Sequence, residues 1–429
     1  MMSPQEMCSA CPGPSDKRLR LLLFALGTLY LLLALGLLLN EGLFSLIGVD
    51  FRVFFASAQI AWEEGFPKVY DLSTQEVVQQ TLVAPYTSSR VGTMWFFYPP
   101  PFLLPFLPLV PLGIARGFLV WLLVNLLLFI GYLNRFLQAT EGSERPLRSA
   151  HLASGPNERL LLISLALLSF PSFTNLLCGQ VNVWLMVCVG EFQRNWGRNP
   201  FRSGLWMGGL LIKPQVLLLI LPFLILSGEW KVLSGFSVVL VAIGVLSFML
   251  LGPKGMEVWV TQFISHTGNE PSLHPQLMIN FRMVGELLSI WLPEIAPELS
   301  AGLSIGVALL ALLYAIRVNK RASEQREEML LLLLAATTIA SWHMHAHTAL
   351  ILLPPLLYHV LTGQISTRFF TLWTLLPPAV YFLCAAAISV LIGLGKDILP
   401  FPGFTYPALV LLALHNYLLI RKFWRNFAK

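Results

Sequence analysis

Long apolar stretches, separated by short polar segments, dominate the chain. A run of about 17–25 apolar residues is long enough to cross the hydrocarbon layer of a membrane as an α-helix. The pattern therefore predicts an all-α polytopic membrane protein. The predicted apolar runs are 21–39, 116–136, 159–175, 181–193, 203–228, 232–251, 301–316, 329–341, 348–361, 370–394 and 406–420.

Two segments depart from a simple row of crossings. The run 203–228 carries Lys213-Pro214 at its centre, and a lysine at mid-bilayer costs a few kcal/mol. We therefore predict two short helices whose tips meet at Lys213, which gives about 12 crossings in all. The stretch 102–112 is short and is interrupted by three prolines, so we predict a re-entrant or juxtamembrane part of an outer loop.

The distribution of basic residues predicts the orientation. Lys17, Arg18 and Arg20 precede the first run, which places the N-terminus inside by the positive-inside rule. In this orientation the inner segments carry 20 of the 28 Lys and Arg, whereas 12 of the 22 Asp and Glu lie outside. A full crossing at 102–112 would put the basic loops 194–202 and 317–326 outside, so the charges favour the re-entrant interpretation.

These assignments divide the chain into seven segments. They are a cytoplasmic N-terminal tail (1–20), a first transmembrane helix (21–39), an outer loop with embedded helices (40–115), core helices (116–251), a second outer loop (252–300), C-terminal transmembrane helices (301–420) and a cytoplasmic tail (421–429).

Composition excludes several classes of protein. The chain is 56% hydrophobic and 12% charged at a mean hydropathy of +0.71, whereas a soluble domain carries about 25% charged residues. The net charge of +6 is spread between apolar runs and forms no single patch, so we predict no nucleic-acid partner. The sequence has no Walker A motif and no GxSxG motif, which argues against ATP-driven transport and acyl hydrolysis.

Unusual polar residues fall mainly at the outer ends of the predicted spans. Polar groups at membrane depth are costly unless they serve a cavity or a ligand, so their convergence predicts one polar site at the outer interface. These residues are Asp50, Arg52, Tyr98, Gln180, Asn182, Lys213, Asn280, Arg282, His343, His345 and His347.

Two charged members of this group have alternative roles. In an apolar surround the pKa of Asp50 would rise toward that of a usable general base, but Asp50 could equally cap the helix that follows or pair with Arg52. Lys213 suits a phosphate as a point charge, or it could reach lipid headgroups along its apolar stem. The residues alone leave both questions open.

The remaining polar groups are similarly ambiguous. In an extended segment His343, His345 and His347 would share one face, whereas on a helix His343 and His347 would lie one turn apart. The three could contact a phosphate or sugar, bind a metal or have a purely structural role. No HExxH motif or cysteine partner accompanies them, so we predict no metal site. The amides of Gln180 and Asn182 suit sugar hydroxyls, or they could satisfy broken helix ends.

Taken in order along the chain, these motifs resemble the GT-C superfamily of polyprenyl-phosphate-sugar-dependent glycosyltransferases, and more narrowly glycosyltransferase family 87. The resemblance extends from about residue 45 to 360. The motifs that carry it are Asp50-Phe51-Arg52-Val53-Phe54, Gly65, Val69-Tyr70-Asp71, Tyr98-Pro99-Pro100, Gly179-Gln180-Val181-Asn182, Lys213-Pro214, Asn280, and Ser341-Trp342 with the histidines before Leu353-Pro354.

The resemblance implies a GT-C fold and transfer of a hexose, most commonly mannose, from a polyprenyl-phosphate sugar to a glycolipid or glycan acceptor. It implies that the first outer loop carries a catalytic acidic residue, which matches Asp50, and that a lipid-phosphate site lies near Lys213. The best match to the family's donor-phosphate histidine is His345. It also implies metal-independent chemistry with no cofactor beyond the donor substrate. Our hypothesis for the mechanism is inverting transfer, in which Asp50 deprotonates an acceptor hydroxyl. We expect a bacterial cytoplasmic membrane, with the site on the outer, periplasmic side that the charge distribution indicates.

A lipid or solute transporter without chemistry is the alternative from another class. It predicts polar residues on both membrane faces and an access path through the bundle. The polar residues concentrate on the outer face, and the two halves of the chain show no visible similarity. Both observations favour the enzyme over a transporter built from inverted repeats.

Overall fold

The computed structural model describes residues 14–87, 92–141, 156–266, 274–319, 326–393 and 404–427. Within these ranges the regular structure is helical, which confirms the predicted all-α polytopic class. The α-helices are α1 Pro14–Glu41, α2 Val49–Glu63, α3 Leu72–Val83, α4 Ile114–Glu141, α5 Pro156–Leu167, α6 Phe170–Cys178, α7 Asn182–Trp196, α8 Pro200–Gly208, α9 Ile220–Leu226, α10 Trp230–His266, α11 Phe281–Leu288, α12 Ala296–Asn319, α13 Arg326–Ala340, α14 Leu353–Leu361, α15 Thr367–Gly393 and α16 Thr405–Phe427.

Five helices in the described ranges are long and apolar enough to cross a membrane: α1, α4, α10, α12 and α15. A sixth candidate is the pair α5 and α6, which is bent by 60° at residues 168–169. Other predicted crossings coincide with shorter helices, such as α7 and α13 with 15 residues each, and the run 406–420 coincides with α16, which has 23 residues. The predicted total of about 12 crossings stays a prediction.

The run 203–228 breaks where the sequence predicts. After α8 a short 3₁₀ helix ends at Ile212, and a second 3₁₀ helix begins at Pro214 and leads into α9. Lys213 between them has a non-helical backbone (φ −128°, ψ 82°). The proline removes a backbone donor, which disfavours a continuous helix, so the lysine occupies a break between two short helices.

The predicted start of the second outer loop, residue 252, coincides with a bend in α10, which continues to His266. The boundary of that loop stays a prediction. Gly252 takes a left-handed φ of 64°, and Pro253 follows as the first residue of the new helical segment, a position that proline favours. The apolar run therefore ends at a bend in a helix.

The first outer loop is built on aromatic packing around α2. The apolar face of α2 carries Phe51 and Phe54, whose rings lie 6.2 and 5.2 Å from that of Phe106 in the proline-rich segment. The ring of Phe106 in turn lies 4.5 Å from Trp121 of α4. Aromatic contacts of this kind add about 0.5–1.5 kcal/mol each beyond buried area, so they fix α2 against the membrane helices.

Two buried glutamines on α3 hold the strand-like segment that leads into the prolines. Gln75 accepts from the Phe96 N–H at 2.8 Å and donates to the Val69 carbonyl at 2.8 Å. One turn further, Gln79 donates to the Met94 carbonyl at 2.7 Å. These amides replace the backbone partners that a sheet would supply, and they bring Tyr98 close to α2.

The helix α13 lies at the centre of the bundle. Its residues 329–339 are all buried, and it packs against α12, α14 and α16. A helix that is apolar on every side needs such a position. The segment 341–347, which carries the three histidines, follows directly from the end of α13.

Candidate active site

The N-terminus of α2 is fastened to the turn between α6 and α7. The Gly48 N–H donates to the Leu177 carbonyl at 2.7 Å. Two residues on, the Asp50 carboxylate accepts hydrogen bonds from the side chains of Gln180 and Cys178 in that turn. Burial raises the pKa of Asp50 above its usual value, and the charge of Lys213 opposes this rise without cancelling it.

Gln180 links Asp50 to a second sequence-predicted residue. Its side chain also forms a hydrogen bond with the Tyr98 hydroxyl. The backbone of Tyr98 is held by the Tyr70 hydroxyl, which donates to the Tyr98 carbonyl at 2.7 Å, and its ring stacks on Phe102 at 4.9 Å. The structure thus joins Asp50, Gln180 and Tyr98, which are far apart in sequence, in one hydrogen-bonded group.

Gly179 allows this close approach. It takes a left-handed φ of 72° after α6, and a Cβ added there would lie 2.6 Å from the Cβ of Phe51 and 3.0 Å from the ring of Phe118. Its carbonyl accepts from the Trp121 indole N–H at 2.9 Å. Only glycine meets both the backbone and the space requirement at this point.

We expect Gly179→Ala to lower both stability and transfer activity. Left-handed backbone strain costs about 1–2 kcal/mol for a residue with a Cβ, and the overlap with Phe51 adds roughly 1–3 kcal/mol. Thermal unfolding in detergent and the transfer rate measure the two effects. The matched control is Gly131→Ala, since a Cβ on Gly131 in α4 meets nothing within 4 Å. Equal behaviour of the two variants would contradict the close packing of Gly179 on Phe51.

Lys213 lies beside the same turn, within electrostatic range of Asp50. Its ammonium donates to the Asn182 Oδ1 at 3.1 Å, and its side chain is only 5% exposed. The Asn182 side chain donates to Asn175 Oδ1 at 3.0 Å, and the Asn182 backbone N–H donates to the same oxygen at 3.1 Å. The amides therefore both satisfy a broken helix end and hold the lysine.

The three histidines lie where the chain passes from the end of α13 into a 3₁₀ helix, Ala346–Leu352. His345 has an extended backbone, and His347 belongs to the 3₁₀ helix. His345 forms an antiparallel bridge with Met278, and its ring donates to the Leu277 carbonyl. The ring centroids of His343 and His345 lie 4.9 Å apart, and those of His345 and His347 lie 5.5 Å apart. All three rings lie within electrostatic range of Lys213.

Asn280 and Arg282 come from the second outer loop and have different roles. The Asn280 amide donates to the Ser341 carbonyl at 2.7 Å and accepts from the Met283 N–H at 3.2 Å, so it joins α11 to the histidine segment. The Arg282 guanidinium lies 4.3 Å above the ring of Trp342, and its charge acts on His343. Predicted donor contacts of both residues stay predictions.

Arg52 forms hydrogen bonds with the backbone of the first outer loop. It is 1% exposed, and its guanidinium donates to the Phe44 carbonyl at 3.0 Å and to the Gly92 carbonyl at 2.7 Å. It also attracts Asp50 electrostatically. Two of its donors are thus committed to the backbone, and its predicted contact with a donor substrate stays a prediction.

The electrostatics of the site favour an anion beside the histidines. Burial, followed by the charges of Lys213 and Arg282, lowers the pKa of His343 to about 4, so its imidazole is neutral at pH 7. The Nδ1 of His343 and one terminal nitrogen of Arg282 are buried and have no hydrogen-bond partner among the described residues. Buried polar groups normally have partners, and an anionic ligand would supply them.

The described residues include no group of three or more His, Cys, Asp or Glu side chains arranged to hold a metal ion. The carboxylate of Asp50 lies within electrostatic range of Arg52 and Lys213, and Lys213 and Arg282 lie within electrostatic range of the neutral imidazole of His343. This set of groups can remove a proton at one side and stabilise a negative charge at the other.

Apolar helices of membrane-spanning length and a polar site at the ends of broken helices define an integral multi-pass membrane protein. The chain belongs to glycosyltransferase family 87, whose family model matches residues 96–341. It is therefore a membrane glycosyltransferase with a sugar donor, an acceptor and the lipid bilayer as partners. The matched range includes Tyr98, Gln180 and Lys213, whereas Asp50 and the three histidines lie outside it. No curated protein and no solved structure matches the chain.

Proposed function

We propose that this glycosyltransferase transfers mannose from a polyprenyl-phosphate donor to a glycolipid or glycan acceptor, with inversion at the anomeric carbon. Family membership supports glycosyl transfer over the alternative of a transporter without chemistry. The observation that carries the finer proposal is the arrangement of Asp50 and Lys213 beside one turn, with Arg282 and the histidines on the lysine side.

Asp50 acts as the general base in this mechanism. Its carboxylate removes the proton from an acceptor hydroxyl as the oxygen attacks the anomeric carbon of the donor. Gln180 and Cys178 orient the carboxylate by hydrogen bonds, and Tyr98 with Gln180 contacts sugar hydroxyls beside it. Burial raises the pKa of Asp50, which makes its carboxylate a stronger base than that of an exposed aspartate.

The leaving group departs on the other side. As the bond from the acceptor oxygen to carbon forms, the bond from carbon to the phosphate oxygen breaks, and polyprenyl phosphate leaves with an additional negative charge. Lys213 and Arg282 stabilise that charge, and the ring N–H of His343 or His347 donates a hydrogen bond to a phosphate oxygen. The single N–H of the neutral His345 ring is taken by the Leu277 carbonyl, so His345 positions its two neighbours. No metal or other cofactor takes part in the proposed reaction.

The position in the membrane follows from the donor. A polyprenyl tail lies among lipid chains, and its phosphate and sugar lie at the interface, where the helices break around Lys213. With the N-terminus inside, this interface is the outer one. We propose a bacterial cytoplasmic membrane with the active site on the periplasmic side.

A donor panel tests this function. Purified protein is incubated with a membrane lipid extract and with radiolabelled polyprenyl-phosphate mannose, glucose, galactose or arabinose, with GDP-mannose as the nucleotide-sugar control. We expect transfer from the mannose lipid, with the opposite anomeric configuration in the product, and none from GDP-mannose. Transfer from the nucleotide sugar, or retention of configuration, would overturn the proposed donor or mechanism.

A further inference from the structure

Asn175 on α6 forms hydrogen bonds with Asn182, which in turn forms a hydrogen bond with Lys213. Its Oδ1 accepts two hydrogen bonds from Asn182, one from the backbone N–H at 3.1 Å and one from the side-chain amide at 3.0 Å. The Oδ1 of Asn182 in turn accepts from the Lys213 ammonium at 3.1 Å. Asn175 and Asn182 are 1% and 0% exposed, so water does not compete for these bonds.

The direction of this chain of hydrogen bonds is fixed by chemistry. An ammonium has donors only, so Asn182 must present its oxygen to Lys213 and its NH₂ group to Asn175. Asn175 must then present its oxygen to both donors of Asn182. Rotation of either amide by 180° would place donors against donors, so each amide orientation depends on the other.

The arrangement leaves the Nδ2 of Asn175 buried without a partner among the described residues. A buried unpaired polar group costs about 1–3 kcal/mol. Asn175 keeps this costly orientation because its oxygen accepts from both donors of Asn182, the backbone N–H at the start of α7 and the side-chain amide. We propose that Asn175 is a positioning residue that directs the Lys213 ammonium toward the donor phosphate through Asn182, an inference that rests on the proposed function.

These hydrogen bonds limit the orientation of the flexible Lys213 side chain. Lysine carries its charge on a four-carbon stem, and one of its three donors is taken by Asn182. With that donor fixed, the other two point to a defined region of the site. Without the Oδ1 of Asn175, Asn182 loses both of its hydrogen bonds to α6. Its side chain then no longer fixes the ammonium, so phosphate binding weakens.

The test measures binding of undecaprenyl monophosphate to purified full-length protein in detergent, which needs no knowledge of the sugar. We expect Asn175→Ala to raise the Kd about tenfold, on the order of 1.4 kcal/mol. Lys213→Met should raise the Kd at least as much, and the double variant should match Lys213→Met alone, because both act through one ammonium. A merely structural asparagine would give multiplicative effects.

The matched control is Asn125→Ala. Asn125 is equally buried, and its amide donates to the Trp121 carbonyl within α4 at 2.9 Å. It takes no part in the hydrogen bonds that hold Lys213, so the Kd of the Asn125→Ala variant should equal that of the wild type. If Asn175→Ala does not fold, Asn182→Ala removes the same chain of bonds and should show the same dependence on Lys213.

The possible failures are distinguishable. A wild-type protein that does not bind the lipid phosphate, or a Lys213→Met variant that binds it normally, overturns the proposed function and this inference with it. A Kd that rises in Lys213→Met but is unchanged in Asn175→Ala overturns the inference alone. Multiplicative effects in the double variant do the same.

Discussion

Replacing Asp50 with asparagine should lower the transfer rate by about 10²–10⁴-fold, the usual contribution of a general base. Asparagine has nearly the same shape and keeps an oxygen that accepts from Gln180 or Cys178, but it cannot take the proton from the acceptor hydroxyl. Donor binding should change little, because Asp50 is assigned to the acceptor side. The initial rate at saturating donor and acceptor measures the effect.

Asp71 offers a matched control in the same outer loop. Its carboxylate is exposed and caps α3 by accepting from Ser73 and Thr74, a role that asparagine fills equally well. Asp71→Asn should therefore retain full activity. If Asp50→Asn retained turnover comparable to Asp71→Asn, the assignment of the base would be wrong.

The same two carboxylates differ in the direction of their pKa shifts, which bears on the pH profile. Burial raises the pKa of Asp50 above 3.8, whereas hydrogen bonds from Ser73 lower that of Asp71. A base works only when it is ionised, so the rate should fall as the pH drops through the raised pKa of Asp50. The acid limb should therefore lie above the pKa of an exposed aspartate.

The sequence predicts the main features of the site because each has a local signal. A lysine before a proline inside an apolar run must interrupt a helix, and the structure has that break at Lys213. Three histidines at alternating positions are close enough in sequence to form one cluster, and the structure places their ring centroids 4.9 and 5.5 Å apart. The conformation is mixed, with a bridge at His345 and a 3₁₀ helix from Ala346. The charge rule placed these segments on one side, and the structure brings them together.

Other features depend on partners that sequence patterns do not reveal. Asn175 stands at the end of an apolar run, where an amide gives no indication of a partner seven residues later across a turn. Gln75 and Gln79 look like exposed polar positions of a helix but bind backbone groups about 15–21 residues away. The bend at Gly252 appears in hydropathy as the end of a span, since composition does not separate a kink from a terminus.

Replacing Lys213 with methionine should lower kcat by about 10²–10³-fold, the usual loss when one group that stabilises a developing negative charge is removed. It should also raise the KM for the donor, because the ammonium contacts the phosphate before and after transfer. Methionine preserves most of the length of the lysine stem without its charge. The acceptor KM should stay within about twofold of wild type, because the proposed mechanism gives Lys213 a contact with the donor phosphate and none with the acceptor.

The variant Lys213→Arg separates charge from geometry. Arginine keeps the charge, but its longer planar fork does not reproduce a single donor 3.1 Å from Asn182, so we expect only partial recovery. Lys68→Met is the matched control, because Lys68 is an exposed lysine of the first outer loop that lies 3.8 Å from Asp71. It should transfer sugar at the wild-type rate. A Lys213→Met enzyme with unchanged donor dependence would remove this lysine from the phosphate site, and the leaving-group charge would then fall to Arg282 and the histidines alone.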